Sequence, residues 1–329
     1  MDRIDEREIR ERVRRAVAEE KSRPLSVAIV GQTGVGKSSL LNALFGTTLE
    51  VGDVAPTTKE PEPVRVKGAR GHEIVFWDMP GIGESATADR RYLELYLTRL
   101  VECDVVLWAL HADSRSVTYD RNVLDRLLDS AGEDARRALV GKITLVLTKV
   151  DMLAPPPWIF AKERKDGFFA PSAELEARIG AKADYFEEAF LASYAEWFRS
   201  RTYDDCGFSP PDDRFEVDSG HVVFNGHLMA EECERLSRKH PEFSGVFSRL
   251  RDNCRVICCS SAFRYGLAEL LSVVVNKIDL SASGRFGKVI GRVEDVQRVK
   301  VSEVRSAGTI VVWDIRRDRK VFDFLDVDF

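Results

Sequence analysis

The segment Gly31–Ser38, which reads GQTGVGKS, constrains the fold of this chain more than any other feature. It matches the pattern G-x-x-x-x-G-K-[ST], in which successive backbone N–H groups surround the phosphates of a nucleotide. The apolar run Leu25–Val30 precedes it and predicts a buried strand, whereas Ser39–Phe45 predicts a helix. A strand, a glycine-rich loop and a helix in this order point the positive end of the helix at the phosphates. The sequence therefore predicts a nucleotide-binding domain, without specifying the nucleotide.

The residues of this loop have separate expected roles. The ammonium group of Lys37 would contact the β- and γ-phosphate oxygens, and the hydroxyl group of Ser38 would ligate Mg²⁺. Because the N–H groups of the loop and of the first helical turn point at the phosphates, we expect contacts from the whole segment. These residues are Gly31, Gln32, Thr33, Gly34, Val35, Gly36, Lys37, Ser38 and Ser39.

Apolar, strand-like runs alternate with helical patterns between residues 25 and 150. Such alternation, with strands that are apolar throughout, predicts an α/β fold whose mostly parallel sheet is covered by helices on both faces. In sheets of this kind, ligands bind beyond the carboxyl ends of the strands. The expected strands are Leu25–Val30, Pro63–Val66, Glu73–Asp78, Val105–Leu110 and Ile143–Thr148, and the pattern resumes at Arg255–Ser260.

Composition argues against several classes of protein. The 329 residues carry a net charge of −5, which implies no general affinity for nucleic acid or for an anionic membrane. No apolar run approaches the ~20 residues of a membrane-spanning helix, and the charged N-terminus lacks the apolar core of a signal peptide. The six cysteines form no C-x-x-C pair, so we interpret them as reduced thiols of a cytoplasmic protein.

Several segments depart from the strand–helix alternation. Residues 1–23 have a narrow apolar stripe that predicts a helix, which packs on the following domain or, in the alternative interpretation, binds a partner or a lipid. Residues 24–280 form the nucleotide-binding domain, interrupted by a mainly helical insert at residues 152–253. Within the insert, the Asp-, Gly- and Pro-rich residues 201–227 predict a loop with one short strand. Residues 281–329 form a C-terminal tail in which a β-hairpin is predicted.

Polar residues that suit the phosphate end of a nucleotide follow the loop. Asp78 ends a predicted strand, and its carboxylate would hold Mg²⁺ through a water molecule. The N–H group of Gly81, three residues later, would meet a γ-phosphate. A threonine of the segment Ala55–Lys59 would complete the shell of the metal ion. This set indicates a nucleoside triphosphate bound with Mg²⁺.

Two further motifs would contact the base. Asp151, in the segment Thr148–Asp151, can accept hydrogen bonds from the N1–H and 2-amino groups of guanine. Adenine lacks both donors and would leave the carboxylate unpaired, which costs binding free energy. A backbone N–H group of Ser261 or Ala262 would meet the guanine O6 acceptor. Together the motifs indicate a guanine nucleotide.

In their order, these motifs resemble those of the Era-like branch of the translation-factor-class P-loop GTPases, of the 50S ribosome-binding type. The resemblance covers roughly residues 24–151 and 255–279. It implies a G domain with a six-stranded, mostly parallel sheet. It also implies GTP/GDP and Mg²⁺ as ligands, and hydrolysis of GTP to GDP and phosphate.

The resemblance assigns roles to individual residues. Lys149 would lie along the guanine base and Asp151 would read it, while Thr148 stands where the family more often has Asn. Thr58 is expected to be the switch threonine, rather than Thr57, because a basic residue follows it. The implied catalytic residues are Lys37 and Thr58, and the implied Mg²⁺ ligands are Ser38, Thr58 and Asp78.

Three positions depart from related patterns. Ile82 stands where Ras-like proteins place a water-orienting Gln, so we expect slow hydrolysis. Gly34 stands where several Era-like GTPases have an Asn that helps to bind K⁺, which puts K⁺ stimulation in doubt. Thr33 is typical of septin-related and plastid-import-related GTPases that pair across the nucleotide, so a nucleotide-dependent homodimer is possible.

The leading hypothesis is a GTPase that acts as a conformational switch, with a protein partner bound through the insert at residues 152–253. The alternative is a GTP-dependent assembly or scaffold protein that dimerises across the nucleotide, with hydrolysis incidental. A ribosome- or RNA-associated factor is disfavoured, because residues 281–329 carry ten Lys/Arg against eight Asp/Glu and do not form a basic arm.

Overall fold

The computed structural model of the chain describes residues 24–45, 60–67, 73–82, 86–114, 117–153, 158–277, 296–301, 304 and 310–323. The predicted helix over residues 1–23 and the predicted switch threonine, Thr58, lie outside the described residues. Within the described ranges, no helix combines the length and the apolar composition needed to cross a bilayer.

The described strands form three sheets. In chain order, the strands are β1 (Leu25–Gly31), β2 (Glu62–Lys67), β3 (Glu73–Asp78), β4 (Val105–His111), β5 (Ile143–Thr148), β6 (Trp158–Glu163), β7 (Asp166–Pro171), β8 (Arg199–Tyr203), β9 (Phe215–Asp218), β10 (His221–Asn225), β11 (Ile257–Cys258), β12 (Val299–Lys300), β13 (Ile310–Asp314) and β14 (Arg319–Asp323).

The described part of the chain has eight α-helices and three short 3-10 helices. The α-helices are α1 (Lys37–Phe45), α2 (Ala86–Glu102), α3 (Val117–Ser130), α4 (Glu133–Lys142), α5 (Ala173–Leu191), α6 (Ala230–Lys239), α7 (Ser244–Asp252) and α8 (Leu267–Lys277). The 3-10 helices are Val150–Met152, Ala192–Trp197 and Pro241–Phe243.

The central sheet has six strands in the order β11-β5-β4-β1-β3-β2. All neighbours are parallel except β2, which pairs antiparallel with β3. The prediction of a six-stranded, mostly parallel sheet is therefore confirmed. Because the other five strands are parallel, their carboxyl ends meet at one edge, where Asp78 and Thr148 lie.

Helices cover both faces of this sheet, which explains why its strands are apolar throughout. Along β4, Val106, Trp108 and Leu110 face one core, which also contains residues of α2, α3, α4 and α5. The alternating residues of β4 face a second core, where Leu40 of α1 and Leu270 of α8 are fully buried. The period-two alternation along a strand thus sends side chains into two separate apolar layers.

The insert at residues 152–253 contains strands as well as the predicted helices. The single short strand predicted over residues 201–227 is wrong, because β8, β10 and β9 form an antiparallel three-stranded sheet. The strands β9 and β10 are joined at Ser219 and Gly220, whose φ angles of 49° and 79° are those of a tight type I′ hairpin turn. These strands are four or five residues long, so the surrounding Asp, Gly and Pro residues obscured their pattern.

The third sheet has the order β12-β7-β6-β13-β14 and is called the added sheet below. The hairpin β6-β7 belongs to the insert, whereas β12, β13 and β14 belong to the tail. The strand β13 runs parallel to β6 and forms an antiparallel hairpin with β14, at the place where a tail hairpin was predicted. The tail and the insert therefore share one sheet, although their strands are far apart in the sequence.

Two glycine substitutions should change stability in opposite directions. A Cβ atom on Gly167 of β7 would lie 2.4 Å from the carbonyl oxygen of Ala161, so Gly167→Ala should destabilise the protein by about 1–3 kcal/mol through overpacking. Gly180 lies in the middle of α5 with open space around its Cα, so Gly180→Ala should stabilise it by ~0.5–1 kcal/mol. Urea unfolding measures the change in the free energy of unfolding for each variant. Changes of the same sign would contradict the prediction.

Candidate nucleotide site

The phosphate loop leaves β1 at a close approach between two strands. Gly31 has a φ angle of +146°, and a Cβ atom there would lie 2.2 Å from the carbonyl oxygen of Ala109 on β4. Gly36, at the end of the loop, has a φ angle of +100°. Only glycine adopts such angles readily, so the glycine spacing of the motif corresponds to the backbone path.

The side chain of Lys37 lies in the centre of the loop. It is 7% exposed, and its Nζ atom donates hydrogen bonds to the carbonyl oxygens of Gly31 (3.2 Å) and Gln32 (3.1 Å). The ammonium group is therefore held at the first turn of α1, where the helix dipole also favours an anion.

Ser38 and Asp78 meet at the phosphate end of the site. The Ser38 hydroxyl donates a 2.7 Å hydrogen bond to Oδ2 of Asp78, whose side chain is buried at the end of β3. Both groups offer hard oxygen ligands of the kind that Mg²⁺ prefers. The predicted pair of metal ligands is thus brought together, and the donor set fits Mg²⁺.

The segment after Asp78 pairs with the phosphate loop. The Thr33 N–H group donates to the carbonyl of Ile82 (3.1 Å), and the Ile82 N–H group donates to the carbonyl of Gly31 (3.3 Å). Gly81 lies so close that a Cβ atom on it would be 2.2 Å from Oγ1 of Thr33. The side chain of Ile82 is fully buried in the core. Any movement of this segment must therefore break contacts with the loop.

On the base side, Thr148 and Lys149 are tied to the phosphate loop. The Thr148 hydroxyl lies 2.6 Å from the carbonyl oxygen of Val35 and 3.0 Å from that of Leu110, either of which can accept its proton. Lys149 has a left-handed backbone (φ 56°), and its Nζ atom donates to the carbonyl of Gly34 (2.8 Å). The hydroxyl that replaces the more usual Asn thus bridges the loop to β4.

The loop from Ser260 to Gly266 follows β11 and is called the base loop below. The Ser260 N–H group donates to the carbonyl of Tyr265 (3.0 Å), and the Ser260 hydroxyl accepts from the N–H group of Phe263 (3.0 Å). Gly266 has a φ angle of +71°, and a Cβ atom there would lie 1.9 Å from the carbonyl oxygen of Cys258. These bonds turn Ser261 and Ala262 outwards, at the carboxyl edge of the central sheet.

An open cleft of about 660 Å³ joins the phosphate loop to the base loop. Its walls include many of the predicted residues, namely Gly36, Ser39, Thr148, Lys149, Asp151, Ser261 and Ala262. Other lining residues were not predicted, namely Asn42, Ala43, Met152, Arg264 and Val299. Of these, Met152 directly follows a predicted motif and Arg264 lies two residues after another, whereas Val299 comes from the tail and carries no local signal.

Asp120 is another residue near the phosphate loop that was not predicted from the sequence. It lies in the first turn of α3, is 2% exposed, and accepts a 2.7 Å hydrogen bond from Nε2 of Gln32 in the phosphate loop. Burial raises its pKa from 3.8 to about 6, and the hydrogen bond from Gln32 opposes this shift. An acidic residue at a helix start usually faces solvent, so sequence pattern alone could not find it.

Comparison with known proteins agrees with this geometry. Residues 26–149 match the family of 50S ribosome-binding GTPases. The uncharacterized protein YkfA of Escherichia coli (strain K12) is 39% identical over 130 residues, which are 39% of this chain and 42% of YkfA. GTPase Era of Geotalea daltonii is 29% identical over 129 residues, 39% of this chain and 40% of that protein. The chain thus matches less than half the length of these curated relatives.

Among solved structures, a crystal structure of Toc33 from Arabidopsis thaliana in complex with GDP and Mg²⁺ is 24% identical. It has a TM-score of 0.38, covering 54% of this chain and 65% of that one.

The central sheet, the phosphate loop and the family match define the G domain of a P-loop GTPase. More narrowly, residues 26–149 match the 50S ribosome-binding GTPase family and are similar to GTPase Era.

The buried carboxyl group of Asp120 should make stability depend on pH. Because its pKa is higher in the folded state, its contribution is fully present below its unfolded pKa and is lost as the pH rises through about 6. Asp120→Asn keeps an acceptor for Gln32 but cannot ionise. Between pH 4 and pH 7, the free energy of unfolding of the variant should rise relative to that of the wild type by up to about 3 kcal/mol.

Urea unfolding at several pH values measures this difference. The exposed Asp213 supplies a matched control, because Asp213→Asn should follow the wild-type pH profile. A pH-independent difference between Asp120→Asn and the wild type would show that Asp120 does not titrate as described.

Proposed function

We propose that this protein binds GTP with Mg²⁺, hydrolyses it slowly to GDP and phosphate, and acts as a nucleotide-dependent switch. One observation carries the proposal: Gly36 of the phosphate loop and Ser39 of α1 line the same cleft as the residues of the two guanine-type motifs. A family match over residues 26–149 supports it independently.

At the phosphate end, each predicted residue has a role that its position supports. Lys37 would exchange its bonds to loop carbonyls for bonds to phosphate oxygens, which stabilises the charge that develops in the transition state. Ser38 and Asp78, with Thr58, would hold Mg²⁺. The metal ion would neutralise charge on the β- and γ-phosphates.

The base end would select guanine. Asp151 lies in the 3-10 helix that follows Lys149 and lines the cleft, where its carboxylate would accept from the N1–H and 2-amino groups. Ser261 and Ala262 lie on the same cleft, so a backbone N–H group of this pair would meet O6. Adenine would leave the Asp151 carboxylate without a partner.

Slow hydrolysis follows from the environment of Ile82. Its side chain is fully buried in the core and is apolar, so it cannot orient an attacking water molecule. We therefore expect the chemical step to depend on charge stabilisation by Lys37 and the metal ion.

The switch would use the pairing between the phosphate loop and Gly81–Ile82. A γ-phosphate that accepts a hydrogen bond from the Gly81 N–H group would displace this segment. The displacement would strain the hydrogen bonds from Thr33 to Ile82 and from Ile82 to Gly31. Loss of the γ-phosphate would release this strain. The predicted switch residues Thr58 and 83–84 lie outside the described residues.

Asp151→Asn should change the preferred base. The amide cannot accept from two donors of guanine but can donate to the 2-oxo group of xanthine, so affinity for GDP should fall about 10- to 100-fold while affinity for XDP rises. Equilibrium titration with both nucleotides measures the change. Retained preference for GDP would remove the base-reading role of Asp151.

Two further variants complete this experiment. Asp134→Asn, at an exposed position of α4, should leave both affinities unchanged. Lys37→Ala should lose the binding of GTP, and wild-type affinity of this variant for GTP would contradict the assignment of the phosphate site.

A second candidate function is GTP-dependent assembly, in which two copies pair across the nucleotide and hydrolysis is incidental. The observation that favours it is the exposure of Thr33 and Gly34 at the surface of the phosphate loop. Turnover per molecule should then rise with protein concentration, because only the dimer is active. A rate that is independent of concentration would disfavour assembly.

We also infer the cellular context from the chain itself. All six cysteines, each within the described residues, are free thiols, which suits the reducing cytoplasm. The insert has its own apolar core around Phe215, Phe224 and Phe247 and exposes Tyr203 and Val217 on its strands, which favours a role as a binding surface for a protein partner.

A further inference from the structure

The base loop is held from outside by aromatic side chains of the added sheet. Phe263, at the centre of the base loop, is 4% exposed and stacks on Phe169 of β7 with ring centroids 4.3 Å apart. Trp158 of β6 contacts Phe263 and Tyr265 edge to face, each at 5.1 Å. Aromatic contacts of this kind contribute stability beyond the burial of their area.

The tail also contacts the base loop, through Arg264. Arg264 has a left-handed backbone (φ 54°), and its Nε atom donates a 2.5 Å hydrogen bond to the carbonyl oxygen of Val296. Three residues later, Val299 of β12 pairs with Gly167 of β7 and lines the nucleotide cleft. The added sheet therefore contributes a residue to the lining of the cleft.

These contacts join two parts of the chain that a minimal G domain would not connect. The residues that would meet the base, Ser261 and Ala262, directly precede Phe263, which the added sheet contacts, and Arg264, which Val296 of the tail contacts. A left-handed conformation at a non-glycine residue is unfavourable unless its surroundings enforce it. The hydrogen bond to Val296, just before β12, supplies part of those surroundings.

We propose that the added sheet, with Val296 just before β12, is part of the guanine site: the sheet positions Ser261 and Ala262 through Phe263, Val296 does so through Arg264, and nucleotide occupancy and order of the sheet are coupled. This inference rests on the proposed function, since it takes the bound base to be guanine. Phe169 is then a positioning residue, because it acts on the base through Phe263 and lines no part of the cleft.

The coupling has a distinctive property. The base is identical in GDP and GTP, so the added sheet responds to whether the site is occupied and not to the number of phosphates. The segment Gly81–Ile82, in contrast, lies at the phosphate loop and would respond to the γ-phosphate. Because GDP and GTP present the same base, a change in the sheet should alter the affinity for both by a similar factor. Because coupling between two sites is reciprocal, binding of either nucleotide should in turn order the sheet.

The variant Phe169→Leu tests this in the full-length protein. It keeps an apolar side chain in the sheet but removes the stacked ring. We expect the dissociation constants of GDP and of the non-hydrolysable analogue GMPPNP to rise together, by about tenfold each, as is typical of a coupling between sites. The matched control is Phe208→Leu, a buried aromatic residue in the separate core of the insert, which should change either constant by less than about twofold.

Three results would each overturn the proposal: unchanged affinities in Phe169→Leu, a change for one nucleotide only, or an equal change in Phe208→Leu. Hydrogen exchange of the wild-type protein gives a measurement that needs no variant. Addition of GDP or GMPPNP should slow exchange in β7 and β12 to the same extent, and exchange that ignores both nucleotides would contradict the coupling. Failure of the wild type to bind either nucleotide would instead contradict the proposed function.

Discussion

The close approach at Gly31 is the constraint on which the site depends. With no side chain at this position, the end of β1 can lie against the Ala109 carbonyl of β4, and the chain can turn at once into the phosphate loop. The loop then lies beside the segment that follows β3, so that Ser38 reaches Asp78 and Thr33 pairs with Ile82. These contacts follow from that one backbone path, because the loop starts at the end of β1 and its partners Asp78 and Ile82 lie at or just after the end of β3.

The base end is organised differently. Its two motifs stand at the ends of β5 and β11, which are neighbours in the sheet, and the Cys259 N–H group donates to the Leu147 carbonyl between them (2.7 Å). The added sheet contributes one lining residue, Val299 of β12, to the cleft. The hairpin β6-β7 acts from behind the base loop, through the aromatic cluster around Phe263 and through its pairing with β12. The insert therefore begins with a hairpin that packs against the base loop, and the chain then continues into α5.

The sequence was sufficient for the central sheet and for most of the cleft, because those features are local. Apolar strands, glycine spacing and a polar residue at each strand end are visible within short windows. The added sheet could not be predicted from the sequence, since the parallel pairing of β13 with β6 joins segments that are far apart in the chain. Such pairing leaves no local periodicity of apolar residues. The same reason hid Val299 in the cleft and the contact of Asp120 with Gln32, where only the packed structure brings the two residues together.

The sharing of one sheet by insert and tail has a consequence for the order in which the protein is made. The phosphate loop and the central strands up to β5 leave the ribosome early, and their contacts are close in sequence. The base loop emerges later, and the strands β12 and β13 that brace it come later still. During synthesis the phosphate half of the cleft can thus form first, while the base half waits for the tail. A nascent chain would pass through a stage in which the phosphate loop is in place and the base loop is not yet braced.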